Sequence, residues 1–394
     1  MILLHPHSRC ILALALFAAC CCCSSQPPAE TKTAEVPSAA PVIRNRAADD
    51  VGRFLAGLPG KPGSPFADLE KQPAWQTHQR EIERMWSPVE TKWLPNMTEF
   101  QRTELSGPPI KNSAVFYPFS GPDILVLTIF FPSNANSVMV ALEPAGVLPD
   151  RALIEKRGAA HYLEGIREAV YSELHRSFFI TREMDRNFRG EVTDGLLPPI
   201  LLLLTRSGHT VLDCRYVRLD DQGNVIERDL SYKAPGNIGN KGVEIEYASD
   251  ADGSVHKLYY FSVNLDDDHL KRNQPFLTYL SGLKGMTTYF KATSYMTHQK
   301  GFSVICDEVL AGSAAVLQDD SGIPYRYFRA APWQVQLYGD YEKPYEPFGY
   351  REQPDLRAAY DESKPKPLNF RIGYGFSKIP SNLLLATRTV SASK

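Results

Sequence analysis

The runs VLDCRYVRL (211–219), DDQGN (220–224) and VIERDL (225–230), then GVEIEY (242–247), SDADG (249–253) and HKLYYFSV (256–263), decide the fold class. Each apolar run is bounded by an Asp/Gly/Asn or Ser/Asp/Gly cluster, which is the pattern of a strand entering a tight turn. Two successive hairpins are therefore expected. They interrupt any regular alternation of strand and helix. The chain reads as α+β, with a mixed or mainly antiparallel sheet and packed helices, and not as a regular doubly wound sheet.

Outward from the hairpins, Ala159, Leu163, Ile166, Val170 and Leu174 recur at helical spacing, with His161, Glu164, Glu168 and His175 on the opposite, solvated side. Ile124 to Phe131 and Ile200 to Leu204 are continuous apolar runs and read as strands covered on both faces. Ala114 to Tyr117, Ser137 to Leu142, Ala314 to Leu317, Trp333 to Tyr338 and Leu368 to Tyr374 are further strands. Gly301 to Ala311 is helical, and Thr287 to Met296 suits either state. Gln79 to Trp86 is helical, with Ser87 as the cap and Pro88 in the first turn of a new helix. The tryptophans of this region, at helical spacing, are expected to fill the core.

The N-terminus specifies an address. The apolar run Ile11 to Ala19 is about half the length that a membrane-spanning helix needs, so positions 1–19 read as a secretion signal. Small residues immediately before Cys20 resemble the cleavage site of bacterial lipoproteins, and that resemblance implies lipidation of Cys20; the alternative is an ordinary signal peptide cut nearby. Positions 20–49, rich in Pro, Ser and Ala, read as a flexible tether. Position 21 is Cys, not the Asp that retains bacterial lipoproteins at the inner membrane, so the lipoprotein resemblance implies outer-membrane lipid as the partner, through Cys20. Positions 50–394 follow as a single compact α+β body or two intimately packed halves.

With 43 Lys and Arg against 45 Asp and Glu, and no basic stripe interleaved with aromatics, nucleic acid is not an expected partner. Cys214 and Cys306 lie on apolar faces and read as buried, either as a disulfide or as two separate thiols.

No established catalytic signature occurs: no metalloprotease helix, phosphate loop, nucleophile elbow or dinucleotide fingerprint. Ser281-Gly282-Leu283-Lys284 has only two fixed positions of a Ser-Lys motif and lacks its partner motifs. The most suggestive polar set is Asp319-Asp320-Ser321 beside Gly322. An Asp there commonly caps backbone N–H groups. In the functional alternative, Asp320 meets Asp123 or Glu143 as an acid/base pair for glycoside hydrolysis. Asp266-Asp267-Asp268-His269 reads as a solvated acidic turn, without the ligand spacing of a calcium loop. No metal and no cofactor are expected. Tyr338, Tyr341 and Tyr345, among Asp, Glu and Lys, suit a carbohydrate or peptide groove or ordinary packing on the sheet. His298 precedes a helix whose N-terminus would lower its pKa.

Tyr117-Pro118-Phe119-Ser120-Gly121-Pro122-Asp123, Leu142-Glu143-Pro144 and Gln318 to Tyr325 together resemble an uncharacterised family of bacterial secreted lipoproteins. That resemblance implies no catalytic roles. The function expected from the sequence is an envelope lipoprotein binding a glycan or another surface component, such as a surface protein. The alternatives are a cofactor-independent carbohydrate hydrolase and a structural subunit of an envelope assembly.

Overall fold

The computed structural model describes residues 42–179, 195–228, 240–330, 332–376 and 379–389. The signal, Cys20 and most of the tether lie outside the described residues. Ten strands share one mixed sheet: β1 (Val115–Pro118), β2 (Asn136–Ala141), β3 (His209–Leu219), β4 (Val225–Glu227), β5 (Lys241–Ser249), β6 (Val255–Ser262), β7 (Met286–Phe290), β8 (Ser313–Gln318), β9 (Trp333–Gly339) and β10 (Asn382–Arg388). Their order is β4-β3-β5-β6-β2-β1-β7-β8-β10-β9.

The expected hairpins are present: β3 pairs antiparallel with β4 and β5, and β5 with β6. They lie at one end of the sheet and do not break its centre. There, β6, β2, β1, β7 and β8 run parallel. At the other end β10 is antiparallel to both β8 and β9. The mixed α+β class therefore holds, with a parallel middle that the hairpins concealed.

Alternating side chains of the central strands feed two cores. Tyr117, Met139, Tyr260 and Tyr289 face one side, under the helices Arg46–Leu55, Ile124–Phe130, Ala159–Arg176 and Leu197–Arg206. Phe116, Val140, Phe261 and Phe290 face the other, under Gln274–Ser281, Ser303–Gly312 and Pro354–Glu362. Burying one such side chain contributes about 1.5–3 kcal/mol.

Several local expectations need correction. Ile124–Phe130 and Leu197–Arg206 are helices, not strands. Both are buried nearly all round, so no polar face marks their period, and apolar runs of that length are ambiguous. Pro198 and Pro199 start the second helix where their missing N–H groups are no loss. Pro88 lies within a continuing helical stretch, because the turn Val89–Trp93 widens into a π-helix there. Trp75 and Trp86 are buried as expected, and Trp93 is partly buried against Phe376. Leu368 to Tyr374 is not a strand; the strand beside β9 is β10. Strand β4 ends at Glu227, and Leu230 lies outside the described residues. The packed body begins before position 50: Asn45 caps the Arg46–Leu55 helix, and Ala48 and Asp49 are buried.

Cys214 and Cys306 are free thiols in the cores on opposite faces of the sheet, which excludes a disulfide between them. Asp267 is not merely solvated. It accepts from Ser303 Oγ and from the Val304 N–H, fastening the start of the Ser303–Gly312 helix.

Candidate functional site

The chain leaves β1 toward β2 and β6 on one side and later returns to β7 on the other. Loops diverging at such a reversal leave a crevice beyond the carboxyl ends of the strands, the usual ligand position in parallel sheets. A pocket is found at that place. Its cavity volume is about 90 Å³, and it is partly open to solvent. The β1 exit contributes Phe119, Ser120, Gly121 and Asp123; the β2 exit, Leu142 and Glu143; the β7 exit, Lys291 to Ser294. Phe178 and Phe179 close one wall.

Tertiary contacts hold each exit. Glu143, 5% exposed, lies just beyond β2, and its carbonyl accepts from the Tyr260 hydroxyl. The following Pro144 and Ala145 carbonyls accept the N–H groups of Leu196 and Leu197. Gly195 is required at this junction: its φ is +87°, and a Cβ there would meet the Pro144 oxygen at 2.3 Å.

Asp123 forms the pocket floor. Its Oδ2 accepts from the Tyr117 hydroxyl at 2.6 Å and lies 2.7 Å from Lys291 Nζ. Lys291 also reaches Glu173 Oε1 at 3.0 Å. All three charged side chains are buried. Burial, then the nearby Asp123 charge, pushes Glu173 up to about 8, with Lys291 opposing. Burial works against the Lys291 charge, but Asp123 and Glu173 outweigh it and raise its pKa. Asp123 and Glu173 also face one another, and the proton that Glu173 retains makes it a hydrogen-bond donor to the Asp123 carboxylate.

The β7 exit is an unusual backbone. Ala292, Ser294 and Tyr295 have φ of 49°, 54° and 52°. Non-glycine residues there cost of order 1–3 kcal/mol each and persist only where surroundings enforce them. The enforcement is visible: the Ala292 N–H donates to Asp319 Oδ2, Thr293 N–H to Ser321 Oγ, and Ser294 N–H to the Tyr374 hydroxyl. Asp319 Oδ1 also accepts from Ser321. Capping is thus the observed role of Asp319.

The expected site residues are distributed unevenly. Asp123 and Glu143 share the pocket. Asp320 does not line it. Its carboxylate is held by the Tyr295 hydroxyl and Asn382, and burial with the neighbouring Asp319 charge raises it to about 7. Tyr338 and Tyr341 are 2% and 1% exposed, so neither offers a ring to a surface glycan. Tyr338 donates to Glu104, and the Tyr341 hydroxyl accepts from the Gln353 N–H. Tyr345 stacks on Tyr374 at 4.9 Å. His298 is lowered to about 4, as expected in direction, but the principal cause is burial. Ser281 is exposed and its hydroxyl donates to the Thr278 carbonyl.

Sequence reasoning missed Glu173 and Lys291. A signal for Glu173 existed: it falls on the buried stripe with Ile166, Val170 and Leu174. A carboxylate there requires a buried partner. Among the described residues, no group of three or more His, Cys, Asp or Glu is arranged to hold a metal ion. No family model, curated protein or solved structure matches the chain.

Proposed function

We propose that the crevice binds a ribose-bearing ligand of the nucleoside class. The observation that carries this reading is Glu143, a buried acid just past β2 beside the reversal in strand order. An acid at that place, roughly 20 residues beyond the turn after the first strand, accepts hydrogen bonds from ribose hydroxyls in nucleoside-binding sheets. Gly121 in the β1 exit and Glu143 have that spacing, and Phe119, Phe178 and Phe179 supply apolar walls for a base. This rests on position within the sheet and on the lining, since the glycine fingerprint is absent.

The envelope address belongs to the same proposal. Cys20, outside the described residues, carries the lipid, and the crevice then works at the outer membrane. Intact mass of membrane-extracted protein tests the anchor; an unlipidated mature N-terminus at another residue overturns it. Among the described residues no helix is long and apolar enough to cross a membrane.

Calorimetric titration with adenosine, guanosine, cytidine and a set of envelope saccharides tests the ligand class. Saturable nucleoside binding that falls about tenfold or more in Glu143→Gln supports it. Saccharide binding alone returns the assignment to the glycan reading, and no binding in either arm sinks both.

A further inference from the structure

We infer that the amino end of β6 carries a proton-operated clasp: His256 in its imidazolium form, acting through Ser254 and Asp252, fastens the β5–β6 turn to the turn that precedes β2. The clasp goes beyond the nucleoside reading and does not depend on it. It lies at the amino ends of β2 and β6, whereas the crevice lies beyond the carboxyl ends of the strands.

A count of protons carries the inference. His256, 6% exposed, sits between two partners: Nδ1 is 3.0 Å from the Asn134 carbonyl, and Nε2 is 2.8 Å from Ser254 Oγ. Ser254 Oγ is in turn 2.7 Å from Asp252 Oδ1. The carbonyl and the carboxylate at the two ends only accept, so three contacts in series need three protons. A neutral imidazole and a hydroxyl supply two. Asp252 does not bring the third, because the Ser254 hydroxyl and N–H hold its carboxylate below the usual range. Protonation of both ring nitrogens does: Nδ1–H donates to Asn134, Nε2–H to Ser254, and the Ser254 hydroxyl to Asp252. A neutral ring leaves Ser254 to bond either the imidazole or Asp252, and one contact is lost.

The surroundings place the charge on this ring. Among the described residues, the ionisable groups lining the adjoining cavity of about 50 Å³ are His209 from β3, Tyr247 from β5, Asp252 and His256. Asp250, in the same turn as Asp252, accepts from the Thr210 hydroxyl. The Thr128 to Asn134 stretch on the remaining side has no ionisable side chain, and Lys257, next along β6, reaches Glu244. Tyr247 stacks on His256 at 5.3 Å, and burial raises its phenol, so it stays neutral. Burial, then the charge of His256, lowers His209, which makes His209 the neutral member of the pair. The same count argues against Ser254 as a nucleophile: its proton is held by Asp252, and an imidazolium is no base.

The clasp has something to hold. Asn134, 3% exposed, also donates from Nδ2 to the Ile110 and Ser113 carbonyls, so the contact ties the hairpin turn to the segment entering β1. Histidine is the side chain whose ordinary titration falls between about pH 5 and pH 8, which makes the device responsive in that range.

Two measurements on the intact mature protein in detergent test the inference across that range: ring nitrogen NMR of His256, and hydrogen exchange of the 249–254 turn corrected for intrinsic rates. The expected result is passage of His256 from the doubly protonated ring to the Nδ1–H tautomer, with protection of the turn falling about tenfold or more in step. Ser254→Ala, at a half-buried turn position, should reduce that fall to about twofold or less, and His209→Gln should leave it in place. A His256 ring that keeps one protonation state throughout, or turn protection that does not follow its titration, overturns the clasp. So does a fall that persists in Ser254→Ala or vanishes in His209→Gln, since either places the pH response elsewhere.

Discussion

The Lys291 ammonium lies 2.7 Å from Asp123, with the two side chains 2% and 1% exposed. An ion pair so deeply buried is weak evidence for stability, because desolvation of both groups opposes their attraction. Its significance is positional: it fixes the β1 exit against the β7 exit at the point where the sheet opens. Removing the cation should be severe. Lys291→Met strands the buried Asp123 carboxylate and removes a hydrogen bond to Glu173, and should cost about 3–5 kcal/mol in denaturant unfolding. Lys291→Met combined with Asp123→Asn and Glu173→Gln should recover most of that loss. A triple variant no more stable than the single would show that packing, not stranded charge, is the cause.

Stability should fall with rising pH through Glu173. Its pKa moves from 4.5 in the unfolded chain to about 8 when folded. Between those values the native state holds a proton that the unfolded state has lost, so each step up in pH favours unfolding. The contribution is level below 4.5 and fully lost above about 8. Comparing wild type with Glu173→Gln across pH 4–9 isolates it; identical pH profiles would contradict the assignment.

His78 should act in the opposite sense. Burial lowers it to about 4, and its ring lies 2.7 Å from the Leu55 carbonyl. The unfolded chain takes up a proton near 6.5 that the native ring refuses, so stability should drop as pH falls from 6.5 toward 4. His78→Gln should flatten that part of the wild-type profile, read by thermal unfolding.

Gly195→Ala should both destabilise the protein and loosen the Glu143 loop. The substitution combines a φ of +87° with a 2.3 Å approach to the Pro144 oxygen. A loss on the order of 2 kcal/mol or more is expected from strain alone. Unchanged stability in equilibrium unfolding would mean that the 144–146 loop moves freely, removing the support argued for Glu143.

Both thiols of the packed body should resist modification. Burial pushes Cys214 and Cys306 each up to about 12. In a chain beginning at Val42, a thiol reagent should find almost nothing in native buffer and two thiols in denaturant. Fewer than two after denaturation without reductant would reveal a disulfide.

The sequence by itself determined the features that depend on neighbours along the chain. The β3–β4 and β5–β6 hairpins were legible because Asp220 to Asn224 and Ser249 to Gly253 carry their own turn chemistry. The Ala159–Arg176 helix was legible because one face stays wet. Ile124–Phe130 and Leu197–Arg206 were not, since burial on all sides erases the periodicity that distinguishes a helix from a strand. Asp123 and Glu143 stood out as polar residues closing apolar segments, but nothing local placed them in one pocket. Only the tertiary structure decided that β1 lies between β2 and β7, and only that order opens the crevice. It also chose Lys291 as the partner of Glu173 across 118 residues. Buried charges must be matched in space, and the folded sheet, not the spacing of residues along the chain, brings those charges together.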